Sequence, residues 1–228
     1  MAQPLDAFDT PAMLVDVDAM ERNIQRFMAH FRDGPVTVRP HLKTVKSPEL
    51  ARRLLAAGAR GVCVAKLAEA EVMAAAGIKD ILITTELAGA PKLSRLVALL
   101  AAHPEIQLVV DGVDGADALQ QALSAAGLVA RVLLDLDVGQ GRCGVLPGAP
   151  ALALARHIAA LPALRLCGVQ GYEGHLQQLP DPAARERLCR EAMARLVDAA
   201  TALRADGHAI ASVTTGGTGT AFICQSCP

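Results

Sequence analysis

A chain of 228 residues, 52% hydrophobic and with a formal net charge of -1, can bury one large core or two small ones, which excludes a disordered polypeptide. Near-neutral charge, with no lysine- and arginine-rich run interleaved with aromatics, excludes a nucleic-acid surface, because phosphate binding needs a concentrated basic field. No apolar stretch reaches the roughly 18 residues of a membrane span, and Met1 to Thr10 lacks the segments of a signal peptide, so the chain reads as cytoplasmic with no membrane partner.

After Thr10-Pro11, residues 12–17 read as a strand, and Asp18 can cap a helix that runs through Phe31 and ends at Gly34. The β-branched run Val36-Thr37-Val38 opens a second strand over 36–41, followed by a helix capped at Ser47 and closed by Gly58. Strands are then predicted at 61–65, 80–84, 106–110, 129–136, 164–171 and 210–214. The helices between them close at Gly77, about Ala102, Gly127, about Ala160 and Gly207, the last a long helix from Pro182 to Ala205. Apolar strands alternating with helices imply a parallel sheet covered by helices, and the α/β class offers a closed (β/α)8 barrel or an open doubly wound sheet. The barrel is favoured, because the turn after the first strand, Val17-Asp18-Ala19-Met20, lacks the glycines of a nucleotide fingerprint.

Unusual polar residues fall at the predicted C-terminal ends of these strands, where a barrel keeps its functional groups: His41, Lys43, Lys66, Thr84-Thr85-Glu86, Asp111, Asp135 to Asp137, Tyr172 and Thr214-Thr215. A lysine held in an apolar pocket beside other cations has a lowered pKa and can attack a carbonyl, and Arg39, His41 and Lys46 flank Lys43. The plainer alternative is that Lys43 and Lys46 begin a solvated loop. The loop Thr214-Thr215-Gly216-Gly217-Thr218-Gly219-Thr220 offers backbone amides and hydroxyls suited to a phosphate monoester, or it is a simple turn. Gly139-Gln140-Gly141-Arg142-Cys143-Gly144 places an arginine at the barrel mouth, either to meet an oxygen anion or to pair with Asp135 or Asp137. An amine, a phosphate cradle and an anion-binding arginine on one rim describe a site for pyridoxal 5'-phosphate.

These motifs, with Arg39-Pro40-His41-Leu42-Lys43-Thr44, Gly168-Val169-Gln170-Gly171-Tyr172 and Thr10-Pro11, resemble the D-threonine aldolase and D-serine dehydratase family of pyridoxal-phosphate enzymes. That family shares its TIM-type barrel with the N-terminal domain of alanine racemase. The resemblance implies that Lys43 binds the cofactor covalently, that Arg142 faces its phenolic oxygen and that Tyr172 lies near its ring nitrogen. It further implies that Thr215, Gly216, Gly217, Thr218, Gly219 and Thr220 hold the phosphate, with His41 and Gln170 lining the pocket. The implied activity is a lyase that cleaves D-3-hydroxy amino acids to glycine and an aldehyde; a D-serine-type dehydratase and a non-catalytic cofactor-binding barrel are the alternatives. The implied partners are a small-molecule D-amino acid and a second copy in a homodimer.

The resemblance also implies a C-terminal β domain with the ligands for a divalent metal, and the expectation is that these 228 residues lack it. The expected organisation is therefore a barrel over 1–220 lacking its eighth strand, and an unstructured tail over 221–228, as in a truncated chain. In the family the segment 12–17 pairs with the C-terminal domain and the barrel begins at 36–41, giving seven barrel strands here. Val45 stands where the family usually carries a second histidine. Cys224-Gln225-Ser226-Cys227 has the spacing of a redox pair or half a zinc site, against the alternative of a plain tail; the six cysteines otherwise suit buried thiols. His175 is a further pocket candidate, whereas His30, His103, His157 and His208 are expected to face solvent.

Overall fold

A computed structural model describes residues 4–227. Six strands, β1 (Val62–Val64), β2 (Ile81–Ile83), β3 (Gln107–Val110), β4 (Ala130–Leu136), β5 (Leu164–Gly171) and β6 (Ser212–Thr214), form one sheet in sequence order. Every pair is parallel, as connections through helices require. The helices are α1 (Val17–Phe31), α2 (Pro48–Ala56), α3 (Leu67–Ala75), α4 (Ala90–Ala102), α5 (Val113–Ala125), α6 (Ala149–Ala159), α7 (Pro182–Ala205) and α8 (Ala221–Gln225). Among the described residues no helix is long and apolar enough to cross a membrane.

Alternation along the strands sorts the two faces. Val62, Val64, Ile81, Ile83, Leu108, Val110, Val132 and Leu134 turn outward into the main core with Leu96, Leu123, Ile158 and Leu196 of the helices. Each such fully buried side chain contributes about 1.5–3 kcal/mol of hydrophobic stabilisation. The residues between them, Cys63, Leu82, Val109 and Leu133, form a second, smaller cluster on the other face, with Cys167 packed against it. The sheet is strongly curled. Gln170 on β5 reaches the carbonyl of Thr84, just beyond β2, at 3.4 Å, although two strands lie between. On a flat sheet three inter-strand steps would separate them by about 14 Å. The sheet is thus an arc of a barrel, with the small cluster on its concave side.

Segment 36–41, read as a strand, is a partial one. The Arg60 amide donates to Val38 O at 2.9 Å, the Cys63 amide to Pro40 O at 2.8 Å and the Leu42 amide to Cys63 O at 2.8 Å, but only His41 and Cys63 form a bridge. It flanks β1 as the seventh position of the arc. The predicted strand over 12–17 is absent among the described residues. Met13, Leu14 and Val15 are exposed, and α1 starts at Val17 because Asp16, not Asp18, accepts the Ala19 amide at 2.8 Å. At the other end, residues 221–225 form a helical turn rather than an unstructured tail, and Ile223 and Cys224 pack on the main core.

One irregularity reaches the site. The register of β4 with β5 slips between Val132 and Leu133, so that Val132 faces Leu166 and Leu133 faces Gly168, with Cys167 as the extra residue. A strand slipped by one residue presents its other face. The slip therefore turns Gln170 to the side of Asp135, and the two are joined at 2.8 Å.

Candidate active site

At the C-terminal end of the arc, the Lys43 amide donates to His41 Nδ1 at 3.1 Å, and His41 Nε2 lies 3.0 Å from Thr84 Oγ1. Since Nδ1 is an acceptor, the ring proton sits on Nε2 and is donated to Thr84, whose own hydroxyl proton goes to Val64 O at 3.1 Å. Burial first, and then the charge of Lys43, bring the His41 pKa down to about 4, so the imidazole is neutral at pH 7. His41 thereby ties the turn that carries Lys43 to the strand ends.

Lys43 itself is exposed, not buried in an apolar pocket, because it lies beyond the last bridged residue, His41. Of the three cations expected around it, His41 is neutral and the other two turn away. Arg39 is turned to the opposite end of the strands, where it pairs with Asp80 at 2.6 Å and donates to Gln107 Oε1 at 3.4 Å. Lys46 reaches Glu69 at 3.7 Å. What Lys43 meets instead is Tyr172: its Nζ stands 5.4 Å from the ring centroid, and Arg142 Cζ stands 5.8 Å from the same centroid.

Arg142 forms no ion pair with Asp135 or Asp137. Asp137 is occupied by its own loop, accepting the amides of Gly139 at 2.9 Å and Gly141 at 3.0 Å. Partial burial pushes the Asp137 carboxyl up, but the amides of Gly141, Gly139 and Gln140 outweigh it and hold the group below the usual range. The loop closes at Gly144, where φ is +102° and a Cβ would stand 2.5 Å from the Asp137 nitrogen. His175 lies against this loop, 3.5 Å from the position a Cβ on Gly139 would take.

The glycine loop after β6 rests on Glu173, which is fully buried and carries no obvious signal in the sequence beyond its place next to Tyr172. Glu173 accepts from Thr215 Oγ1 at 3.2 Å, from Gln177 Nε2 at 3.1 Å and from Thr220 Oγ1 through a short bond. Gln177 Oε1 also accepts the Gly219 amide at 2.9 Å, and a Cβ on Gly217 would stand 2.5 Å from the Gln177 amide. Glycine at 217 thus lets the loop lie flat on its support. The hydroxyls of Thr215 and Thr220 point inward to Glu173, leaving Thr218 as the exposed threonine of the five-residue stretch 216–220. The residues present fit a phosphorylated aldehyde: an accessible amine, a guanidinium without a carboxylate partner among the described residues, and a glycine-threonine loop on the same rim.

Next to Arg142 in the chain, Cys143 meets an acidic group that follows β2 and β3. Glu86, Asp111 and Cys143 offer ligand atoms within 4.8 Å of one another, and the Gly144 amide donates to Asp111 at 3.1 Å. Burial, with the charge of Glu86 added, pushes Asp135 up to about 7 against the opposing hydrogen bond from Gln170. Between its ordinary value of 3.8 and about 7, folded Asp135 keeps a proton that the unfolded chain has lost, so its contribution to stability is complete below 3.8 and disappears as pH rises through 7. Asp135→Asn keeps the acceptor for Gln170 without the charge. It is expected to match the parent in acid and to exceed it at pH 8 by about 2–4 kcal/mol. Thermal melts at the two pH values check this, and an unchanged difference across pH would count against it.

Of the histidines expected to face solvent, His30 is exposed, with its ring tilted against Phe222 at a centroid distance of 4.1 Å, whereas the His208 side chain is only 10% exposed, 3.2 Å from Asp206.

Residues 15–227 match the model of the alanine racemase N-terminal domain. The chain belongs to that family. Among curated relatives, a D-threonine aldolase from Arthrobacter sp is 40% identical over 218 residues, 96% of this chain and 57% of the relative. A D-threo-3-hydroxyaspartate dehydratase from Delftia sp. (strain HT23) is 35% identical over 223 residues, 97% of this chain and 58% of the relative. The crystal structure of a D-threonine aldolase from Filomicrobium marinum superposes with a TM-score of 0.91 at 39% identity, covering 96% of this chain and 59% of that one. The chain therefore has the barrel fold of the alanine racemase N-terminal domain and spans a little over half the length of these relatives.

Proposed function

We propose that this chain is the cofactor-holding part of a pyridoxal-phosphate-dependent lyase for D-3-hydroxy amino acids, of the D-threonine aldolase type. The observation that carries the reading is the convergence of Lys43 and Arg142 on the Tyr172 ring. The names of the relatives, an aldolase and a dehydratase of D-hydroxy amino acids, support the substrate class. Lys43, Arg142, Gln170, Tyr172 and the loop 215–220 would hold the cofactor, which supplies an electron sink for breaking a bond to the α-carbon.

The chain's own residues prepare that chemistry. Neutral His41 fixes the Lys43 turn without adding a second positive charge next to the amine. Arg142, extended from a loop organised by Asp137, offers a guanidinium to an anionic oxygen. Tyr172 is a neutral neighbour, since burial first, and the charge of Glu173 second, raise its pKa. In the aldolase reaction the β-hydroxyl loses its proton and the bond between the α- and β-carbons breaks; in a dehydratase the α-proton leaves and the hydroxyl departs as water. The same reading would include a divalent metal, supplying Lewis-acid chemistry, and a homodimeric assembly.

Borohydride reduction of the purified chain with pyridoxal phosphate, followed by peptide mapping, tests the proposal. Label is expected on Lys43 and is expected to vanish in Lys43→Ala. Label spread over surface lysines, or undiminished in the variant, would overturn it.

A further inference from the structure

The motif Cys224-Gln225-Ser226-Cys227 does not close on itself. Cys227 Sγ donates to Ile223 O at 3.4 Å, while Cys224 Sγ lies 3.6 Å from Cys189 Sγ on α7. Glu173 Oε1 stands 4.0 Å from Cys224 Sγ, and the ligand atoms of Glu173, Cys189 and Cys224 all lie within 4.8 Å of one another. Three separate elements, the turn after β5, α7 and α8, thus bring two sulfurs and one carboxyl oxygen together under the glycine loop.

We propose that Glu173, Cys189 and Cys224 form a site for one thiophilic divalent cation of the zinc class. The spacing is compatible with a ligand shell. With Zn–S of about 2.3 Å and Zn–O of about 2.0–2.2 Å, a tetrahedron has S···S edges of about 3.8 Å and S···O edges of about 3.5 Å. The observed 3.6 and 4.0 Å need only small adjustments to meet these edges. Two sulfurs and one carboxylate select zinc or cadmium over magnesium or calcium, which require all-oxygen shells. The carboxyl group is already oriented by Thr215, Thr220 and Gln177, as outer-shell partners orient a ligand. Cys189 and Glu173 are fully buried, and Cys224 is partly exposed, which gives the ion a way in. On binding, the two thiols release their protons to solvent, and the fourth position is left for water. Two thiolates and a carboxylate around a divalent ion leave one negative charge on the site. A disulfide is the rival outcome, which would require the sulfurs to close to about 2.05 Å and two electrons to pass to an oxidant.

The test titrates the reduced, metal-stripped chain with cadmium under anaerobic conditions and follows the ultraviolet thiolate-to-cadmium charge-transfer band. One equivalent is expected to saturate the band. Cys189→Ala and Cys224→Ala are each expected to weaken uptake at least tenfold, whereas Cys143→Ser keeps it. In the unaltered chain, one equivalent of cadmium is expected to protect Cys224 from alkylation, read by peptide mapping, while exposed Cys143 stays reactive; this arm requires no variant to fold. Uptake that survives both cysteine variants, that is lost in Cys143→Ser, or that leaves Cys224 alkylation unchanged overturns the site. So does loss of two mass units at the Cys189–Cys224 pair in air from a chain that takes up no cadmium.

Discussion

A chain carrying Glu173→Ala is expected to melt about 10 °C below the parent and to lose saturable binding of pyridoxal phosphate. The carboxyl group is wholly enclosed and takes hydrogen bonds from Thr215, Thr220 and Gln177. Truncation leaves the buried Thr220 hydroxyl and the part-buried donors of Thr215 and Gln177 facing a void, a loss of about 3–5 kcal/mol when a buried polar network is broken on one side. At about 2–4 °C per kcal/mol for a domain of this length, that gives the expected shift. Gln177 is then free of its anchor, and with it the Gly219 amide and the loop on which the phosphate would rest. Glu173→Gln retains an oxygen for these donors and should recover most of the melting temperature. Calorimetry with a cofactor absorbance titration reads both effects; a shift under about 3 °C would show that the loop does not depend on this residue.

The second large effect is expected from Gly144→Ala. A Cβ there would stand 2.5 Å from the Asp137 nitrogen and 2.7 Å from the Leu136 carbonyl carbon, both backbone atoms that no side-chain rotation can move. The residue also holds φ at +102°, outside the range that alanine adopts without strain. The bridge between Leu136 and Val145 must open, and with it the loop whose amides converge on Asp137. Stability is expected to fall by about 2–4 kcal/mol. Because Arg142 is borne on this loop, cofactor affinity should fall at least about tenfold, the loss of one well-placed charged hydrogen bond. Gly141→Ala is the comparison: its φ is +65° but no atom lies within 4 Å of the new methyl, so it should cost only about 1–2 kcal/mol.

Much of this architecture was legible because its punctuation is local. Strand 164–171 and helix 182–205 agree with the reading end to end, since Asp181-Pro182 starts that helix and Gly207 follows it. Residues 12–17 misled for the same reason that the others succeeded. Their apolar, β-branched character states what the side chains suit, but a strand also needs a neighbour, and none pairs with them among the described residues. At the candidate site, the motifs single out Lys43, Arg142 and Tyr172, which the structure brings together, whereas the cationic pocket around Lys43 could not survive the geometry. Arg39 and His41 share a strand face, yet the two ends of that strand lead to different partners, Asp80 and Thr84. The acidic neighbours of Asp135 and the role of Glu173 depend on contacts between residues distant in sequence, such as Glu173 and Thr220, and on a register slip at Cys167 that no spacing rule announces.

The order of the strands across the sheet is the order in which the chain is made. Each new strand needs only its predecessor as a template, and each helix docks on a sheet edge already in place. Contacts are therefore close in sequence, and loop-closure entropy is met in small instalments rather than in one long search. An emerging chain can accrete one strand and helix at a time on the ribosome, while every unfinished form presents a single growing edge. His41 and Lys43 emerge first among the candidate site residues and Thr220 last, so the rim is assembled around the sheet in the direction of synthesis.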